Sequence, residues 1–135
     1  MRSVLFRQQD ADAMGATAGM ASHQAWSMNA LQVYALVRQI PRGQVMSYGQ
    51  VAVWCPPLTA WQVGRIMAAA LEEDVPWWRV VGSDGSLRIH KRDPMLAQLQ
   101  RAYLESEGVL FTPDGRVHMT PNQVADPATF EVQLR

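Results

Sequence analysis

Residues 47–67, "SYGQVAVWCPPLTAWQVGRIM", decide the fold of this chain because they contain two helix starts in close succession. Residues 47–50 (SYGQ) and 59–62 (TAWQ) both have the Ser/Thr-x-x-Gln pattern of a capping box, in which side chains satisfy the free backbone N–H groups of a first helical turn. Pro56-Pro57 separates the two starts. Two short helices joined by a tight turn, the second ending near Leu71, predict a helix-turn-helix unit.

The second helix has two chemically different faces. At 100° per residue, one arc of about 100° is apolar and is predicted to face the core. The opposite face combines one aromatic and one basic side chain with small residues, which would let the helix approach another backbone, such as that of DNA. The predicted core face holds Val63, Ile66, Met67 and Ala70, and the outer face holds Trp61, Gly64, Arg65 and Ala68. Trp61 could instead pack on another part of the chain, such as the N-terminal tail.

Helices are predicted on both sides of this unit. Apolar residues at helical spacing begin at Ser27 and end before Pro41, whereas residues 1–26 show no sustained periodicity. Asp93 is a predicted N-cap followed by Pro94, with Leu96, Leu99 and Tyr103 facing inward and Gly108 ending the helix. Residues 109–119 predict a β-hairpin with a Pro-Asp-Gly turn. The predicted organisation is a loose tail over 1–26, one domain over 27–119 and a C-terminal tail over 120–135.

Composition narrows the class of protein. A chain of 135 residues fits one domain, and its formal net charge of zero argues against indiscriminate polyanion binding. Basic residues nevertheless cluster between positions 79 and 92. The single cysteine, Cys55, excludes an intramolecular disulfide and a multi-cysteine zinc site. We expect no metal, no cofactor, no membrane segment, a cytoplasmic location and a monomer.

Four stretches occur in an order that resembles the C-terminal DNA-binding domain of the O6-alkylguanine-DNA alkyltransferases. The resemblance covers about residues 27–119 and implies a mainly α fold with a small β-hairpin, of the winged helix-turn-helix type. The stretches are IPRGQVMSYGQVA, the VGRIM of the second helix, VPWWRVVGSDG and LESEGVLF.

The tryptophan pair marks the departure from those enzymes. In the family the loop is PCHRV, in which the Cys accepts the alkyl group and a His, oriented by a Glu, activates it. Trp77 stands at the Cys position and Trp78 at the His position. Since an indole supplies neither thiolate nor base, the family's alkyl transfer is excluded at this site. A Trp at the Cys position resembles the alkyltransferase-like proteins, which usually have PWHR and which bind O6-alkylguanine without repairing it.

That resemblance implies roles for both tryptophans. Trp77 would form a wall of the lesion pocket, with an ordinary core tryptophan as the alternative. Trp78 would fill the space left by the His and its water. Glu107, matching the family's Glu, is predicted to pair with Arg79 or to lie in solvent, because an unpaired buried carboxylate is costly.

The resemblance implies further site residues. Tyr48 matches the Tyr that rotates the nucleotide out of the helix, unless it is simply a packed side chain. Trp61 stands where the family has an arginine finger, and an inserted aromatic ring can stack where a base was removed. Arg92, or else Arg88, would stack on the lesion base, and Ala70 lies near the position of the enzymes' pocket Asn. Thr59, Gly64, Arg65 and Ala68 complete the predicted DNA-contacting surface, with Arg65 on phosphates.

The implied function is recognition of O6-alkylguanine in double-stranded DNA by nucleotide flipping, with the lesion then directed to nucleotide excision repair proteins. Two alternatives stay open. A degenerate domain of this fold could be a general DNA-binding or protein-interaction module, which the missing arginine finger and His favour but Tyr48 and the small-residue face do not. An enzyme could use Cys55 as acceptor, although no basic neighbour in sequence would lower its pKa.

Overall fold

The computed structural model describes residues 17–70, 73–88 and 93–130. Helix α1 spans Thr17–Arg38, strand β1 Met46–Ser47, helix α2 Tyr48–Trp54 and helix α3 Ala60–Ala69. A single-turn 3-10 helix, Trp77–Arg79, leads into strand β2, Val80–Val81. Helix α4, Pro94–Ser106, and a final 3-10 turn, Pro127–Thr129, follow. The mainly α class with a small β element is confirmed.

Both predicted capping boxes are present. The Ser47 hydroxyl accepts from the Gln50 backbone N–H, and the Gln50 side chain accepts from the Ser47 N–H. Thr59 and Gln62 make the same reciprocal pair at the start of α3. Each cap fixes where its helix begins. The two helices pack on each other and form the predicted helix-turn-helix unit.

The predicted core face of α3 is confirmed, since its four members are at most 3% exposed. Trp61, on the opposite face, is 69% exposed. Trp61 is therefore not packed under another described segment, and most of the N-terminal tail that was its alternative partner lies outside the described residues. Val33, Tyr34 and Val37 of helix α1, and Ile40 just after it, are buried as their spacing predicts. The helix begins ten residues earlier than the predicted start at Ser27.

Three segments meet at a small parallel sheet that the sequence did not predict. β1 pairs with β2 in the register Met46↔Val80 and Ser47↔Val81. Val45 forms a parallel bridge to Val124 on the other side. These strands are only two residues long, so they carry too little periodicity to be recognised. The predicted hairpin is present as a single antiparallel bridge, Phe111↔Val117.

The segment after residue 119 was predicted as a tail, and the structure corrects this up to Phe130. Ala125 and Phe130 are buried in the same core as α1 and α3. The Gln123 side chain donates to the carbonyls of Leu110 and His118 and accepts from the Leu110 N–H. This segment therefore holds the hairpin in place. Gln123 is polar, so a hydrophobic pattern could not predict that this segment is packed.

The predicted inward face of α4 is wrong at two of its three residues, while the third, Leu96, is half-buried. Leu99 and Tyr103 are 41% and 39% exposed, whereas Gln100 and Leu104 are buried. Gln100 turns inward because its amide donates to the carbonyls of Trp78 and Val80. The buried face of α4 is therefore shifted by one residue from the face that hydrophobicity predicts, because Gln100 hydrogen-bonds the backbone at β2.

Gly85 should be intolerant of any side chain. Its φ is +87°, and a Cβ there would lie 2.2 Å from the Val117 carbonyl oxygen. We expect Gly85→Ala to lower the free energy of unfolding by at least about 3 kcal/mol, because backbone strain and a backbone clash add. Gly108→Ala is the matched control, with φ +85° but open space, and should cost about 1–2 kcal/mol. Equal losses in urea denaturation would contradict the clash.

Candidate DNA-binding site

A cavity of about 510 Å³ opens beside the helix-turn-helix unit, and we call it the helix cavity. It brings together five of the predicted site residues on α2 and α3 and one from the turn after β2. These are Tyr48, Trp61, Gly64, Arg65 and Ala68, with Arg88 from the turn; Gly49, Ala60, Gly82 and Ser83 complete the described lining. Two arginines and no carboxylate occur in that described lining, so the cavity favours an anionic or electron-rich ligand.

Tyr48 lies at the first residue of α2, directly after its capping Ser47. Burial raises the pKa of Tyr48 to about 12, against a smaller lowering by the nearby Arg88. The phenol is therefore neutral at physiological pH and keeps its O–H as a donor. A neutral donor beside an arginine suits contact with a phosphate or with a base.

Arg88 is held at the rim by the tight turn that follows β2. Gly82 and Ser86 close this turn through the Gly82 N–H and the Ser86 carbonyl, and the Arg88 Nε donates to the Ser86 hydroxyl at 3.1 Å. The guanidinium lies so close to Gly82 that a Cβ there would be 2.7 Å from Nε. Arg92, the first choice from sequence for the contact to the lesion base, lies outside the described residues; the second choice, Arg88, lines the cavity.

Trp61 and Arg65 form a stacked pair on the outer face of α3. The centre of the Arg65 guanidinium lies 5.1 Å from the centre of the Trp61 ring, one helical turn away. Thr59, predicted to contact DNA, acts as the N-cap of α3 with its hydroxyl engaged by Gln62. Its predicted contact with DNA stays a prediction.

The tryptophan pair lies at a different cavity, of about 600 Å³, which we call the tryptophan cavity. Trp77 is 8% exposed and packs edge-on against Trp78 and Tyr103, at centroid distances of 6.0 and 6.2 Å. The described lining of the helix cavity does not include Trp77. Its role as a wall of the lesion pocket therefore stays a prediction, and its burial agrees with the alternative of a core tryptophan.

Trp78 is held in place by a hydrogen bond to a buried carboxylate. Its indole N–H donates to Glu107 at 2.9 Å, and the same carboxylate accepts from Arg79 at 2.7 Å and from the Gly43 N–H. Arg79 also donates to the carbonyl of Ile40. The predicted pairing of Glu107 with Arg79 is confirmed. Trp78 was predicted only to fill space in the core. Its hydrogen bond to Glu107 was not predicted.

Cys55 is a poor candidate for a nucleophile. Its side chain is 2% exposed, and burial raises the pKa of the thiol. A thiol in such a place stays protonated and behaves as a small apolar residue. Within the described residues, no group of three or more His, Cys, Asp or Glu could hold a metal ion. No described helix is long and apolar enough to cross a membrane.

Comparisons with known proteins agree with this geometry. Residues 29–109 match the family model of the 6-O-methylguanine DNA methyltransferase DNA-binding domain. A DNA base-flipping protein of Vibrio parahaemolyticus is 33% identical over 64% of this chain and 86% of its own length. Alkyltransferase-like protein 1 of Schizosaccharomyces pombe is 43% identical over 58% and 73%. A structure of the S. pombe protein in complex with damaged DNA containing O6-carboxymethylguanine superimposes with a TM-score of 0.63 at 36% identity, covering 75% of this chain and 97% of that one.

The Trp78 hydrogen bond should be measurable in stability. We expect Trp78→Phe to lower the free energy of unfolding near neutral pH by about 1–3 kcal/mol, because a buried carboxylate loses a donor. Trp54→Phe, at a 43% exposed ring, is the control and should change it by less than about 0.5 kcal/mol. Urea denaturation measures both, and equal small changes would contradict the assigned role.

The contribution of Glu107 to the free energy of unfolding should depend on pH. Burial raises the pKa of Glu107, but hydrogen bonds from Arg79 and Trp78 outweigh burial and leave the pKa below its ordinary value. Its stabilisation is therefore present above the ordinary pKa of glutamate and is lost as pH falls through the lowered one. In Trp78→Phe the pKa of folded Glu107 should be lowered less, so the loss should be smaller and should be complete at a higher pH. Superimposable stability profiles for variant and wild type would contradict it.

Proposed function

Because the chain belongs to the alkyltransferase-like members of the 6-O-methylguanine DNA methyltransferase DNA-binding-domain family, we propose that it recognises O6-alkylguanine in duplex DNA by flipping the damaged nucleotide into the helix cavity. The alkyl group is bound and not transferred. The observation that carries this proposal is the convergence of Tyr48, the small-residue face of α3 and Arg88 on one cavity beside a helix-turn-helix unit.

The chemistry of the loop supports binding without catalysis. Trp77 and Trp78 stand at the positions of the acceptor Cys and the activating His, and neither side chain can form a thiolate or take up a proton. Glu107, which would orient a His, is fully engaged by Arg79, Trp78 and Gly43. No proton acceptor of the family's mechanism is left at these positions.

Each feature of the helix cavity has a place in flipping. Gly64 and Ala68 let α3 approach the backbone of the duplex closely. Tyr48 donates its O–H at the point where the nucleotide turns out, and Arg88 contacts the extruded base. Trp61 enters the gap in the stack, and Arg65 contacts phosphate. The bound lesion then serves as a mark for nucleotide excision repair proteins.

The direct experiment is a titration of two labelled duplexes at one fixed salt concentration, identical except for a single O6-methylguanine. We expect a preference of about tenfold or more for the damaged duplex, which corresponds to about 1.4 kcal/mol. Equal affinity would favour the general DNA-binding alternative, and the absence of binding to either duplex would favour a protein-interaction module.

Matched variants identify which cavity takes the lesion. We expect Tyr48→Ala and Arg88→Ala each to weaken binding of the damaged duplex by about 1–3 kcal/mol, because a contact to the flipped base is lost. Tyr103→Ala and Arg38→Ala change the same residue types at the tryptophan cavity and should leave lesion preference unchanged. If the second pair abolishes the preference and the first does not, the lesion binds at the tryptophan cavity.

Cys55 should remain unmodified. After incubation with DNA that contains O6-methylguanine, intact-protein mass spectrometry should show no added methyl group, because the buried thiol is protonated and lies outside the described lining of both cavities. A mass increase that disappears in Cys55→Ser would establish alkyl transfer and overturn the non-catalytic assignment.

A further inference from the structure

The most exposed aromatic side chain described in the structure has a fixed neighbour. Trp61 is 69% exposed on the first turn of α3, and the Arg65 guanidinium stacks over one face of its ring at 5.1 Å. Both side chains line the helix cavity. An exposed indole free to rotate would lose conformational entropy on entering DNA, and a stacked guanidinium reduces that loss in advance.

The chemistry of an indole differs from that of a guanidinium in a way that bears on specificity. A guanidinium carries five N–H donors and can hydrogen-bond the base left unpaired opposite a flipped nucleotide. An indole has a single N–H and no acceptor, so it interacts mainly through its π-face. Stacking on that face is open to every base and carries little sequence information.

We propose that Arg65 is a positioning residue that holds the Trp61 ring ready to stack in the gap, and that lesion recognition by this protein therefore does not depend on the base opposite the lesion. This inference rests on the proposed flipping function and adds a substrate range to it. A guanidinium that stacks on an indole through its face keeps its in-plane N–H groups available for a phosphate. One side chain thus combines the predicted phosphate contact with the positioning of Trp61.

The first test compares the loss caused by Trp61→Ala across four duplexes. O6-methylguanine is placed opposite C, T, A or an abasic site, and wild type and variant are titrated on each. Comparing the loss, and not the raw affinity, removes the different pairing strengths of the four duplexes. We expect the same loss, within about threefold, on all four, because stacking is tolerant of the neighbouring base. A loss that varies by about tenfold or more with the opposite base overturns the inference.

The second test separates positioning from charge. Arg65→Lys keeps the positive charge but loses the planar group that stacks on the ring. We expect about threefold weaker lesion binding with an unchanged salt dependence. The damaged duplex should lose more affinity than the undamaged one, and this excess loss should vanish when Trp61 is already Ala. Equal weakening of both duplexes, or the same effect in the Trp61→Ala background, would show that Arg65 acts on DNA independently of Trp61.

Failure of the proposed function and failure of this inference give different results. If wild-type protein shows no preference for the damaged duplex, the proposed function and this inference fall together. If the preference is present but the Trp61→Ala loss follows the opposite base, flipping stands and the stacking account alone is overturned.

Discussion

A buried guanidinium–carboxylate pair connects the parts of the chain that form the site. The side chains of Arg79 and Glu107 are 14% and 4% exposed, with a contact of 2.7 Å. Through them, the end of α4 is joined to the loop before β1, where Gly43 donates and Ile40 accepts. Removing one partner of such a pair typically costs about 3–5 kcal/mol, because the other charge stays buried without compensation.

The same pair explains why the tryptophans fit the loop. A histidine at position 78 would have offered Glu107 a ring N–H, and Trp78 offers one through its indole at 2.9 Å. The hydrogen-bonding demand of the carboxylate is therefore met while the capacity for proton transfer is absent. With the loop fixed in this way, β2 aligns beside β1, and the turn after β2 carries Arg88 to Tyr48.

Local signals in the sequence predicted the helix-turn-helix unit well. Capping boxes and the 3.6-residue period act within one turn of helix, so the starts of α2 and α3 and the exposed Trp61 follow from neighbouring residues alone. The parallel strands, the inward turn of Gln100 and the anchoring by Gln123 depend on partners far along the chain. Their side chains are polar or their segments too short to carry a periodic signal, which is why the packed segment before Phe130 was expected to be a tail.

The sequence identified most residues of the site but did not predict which cavity each of them lines. Tyr48 and Arg88, predicted in the lesion pocket, share one cavity with Trp61 and Arg65, which were predicted on the DNA-contacting surface, whereas Trp77 lines another cavity. Adjacency in a motif does not fix the direction of a side chain, and the packing of Trp77 on Tyr103 comes from α4, about 26 residues away.

The most direct measurement is a crystal structure of the protein bound to a short duplex that contains one O6-methylguanine. We expect the modified base to be turned out of the helix into the cavity between Tyr48 and Arg88, with the Trp61 ring in the gap and the alkyl group still on the base. A base that remains stacked in the duplex, or that lies against Trp77 and Tyr103, would contradict this expectation.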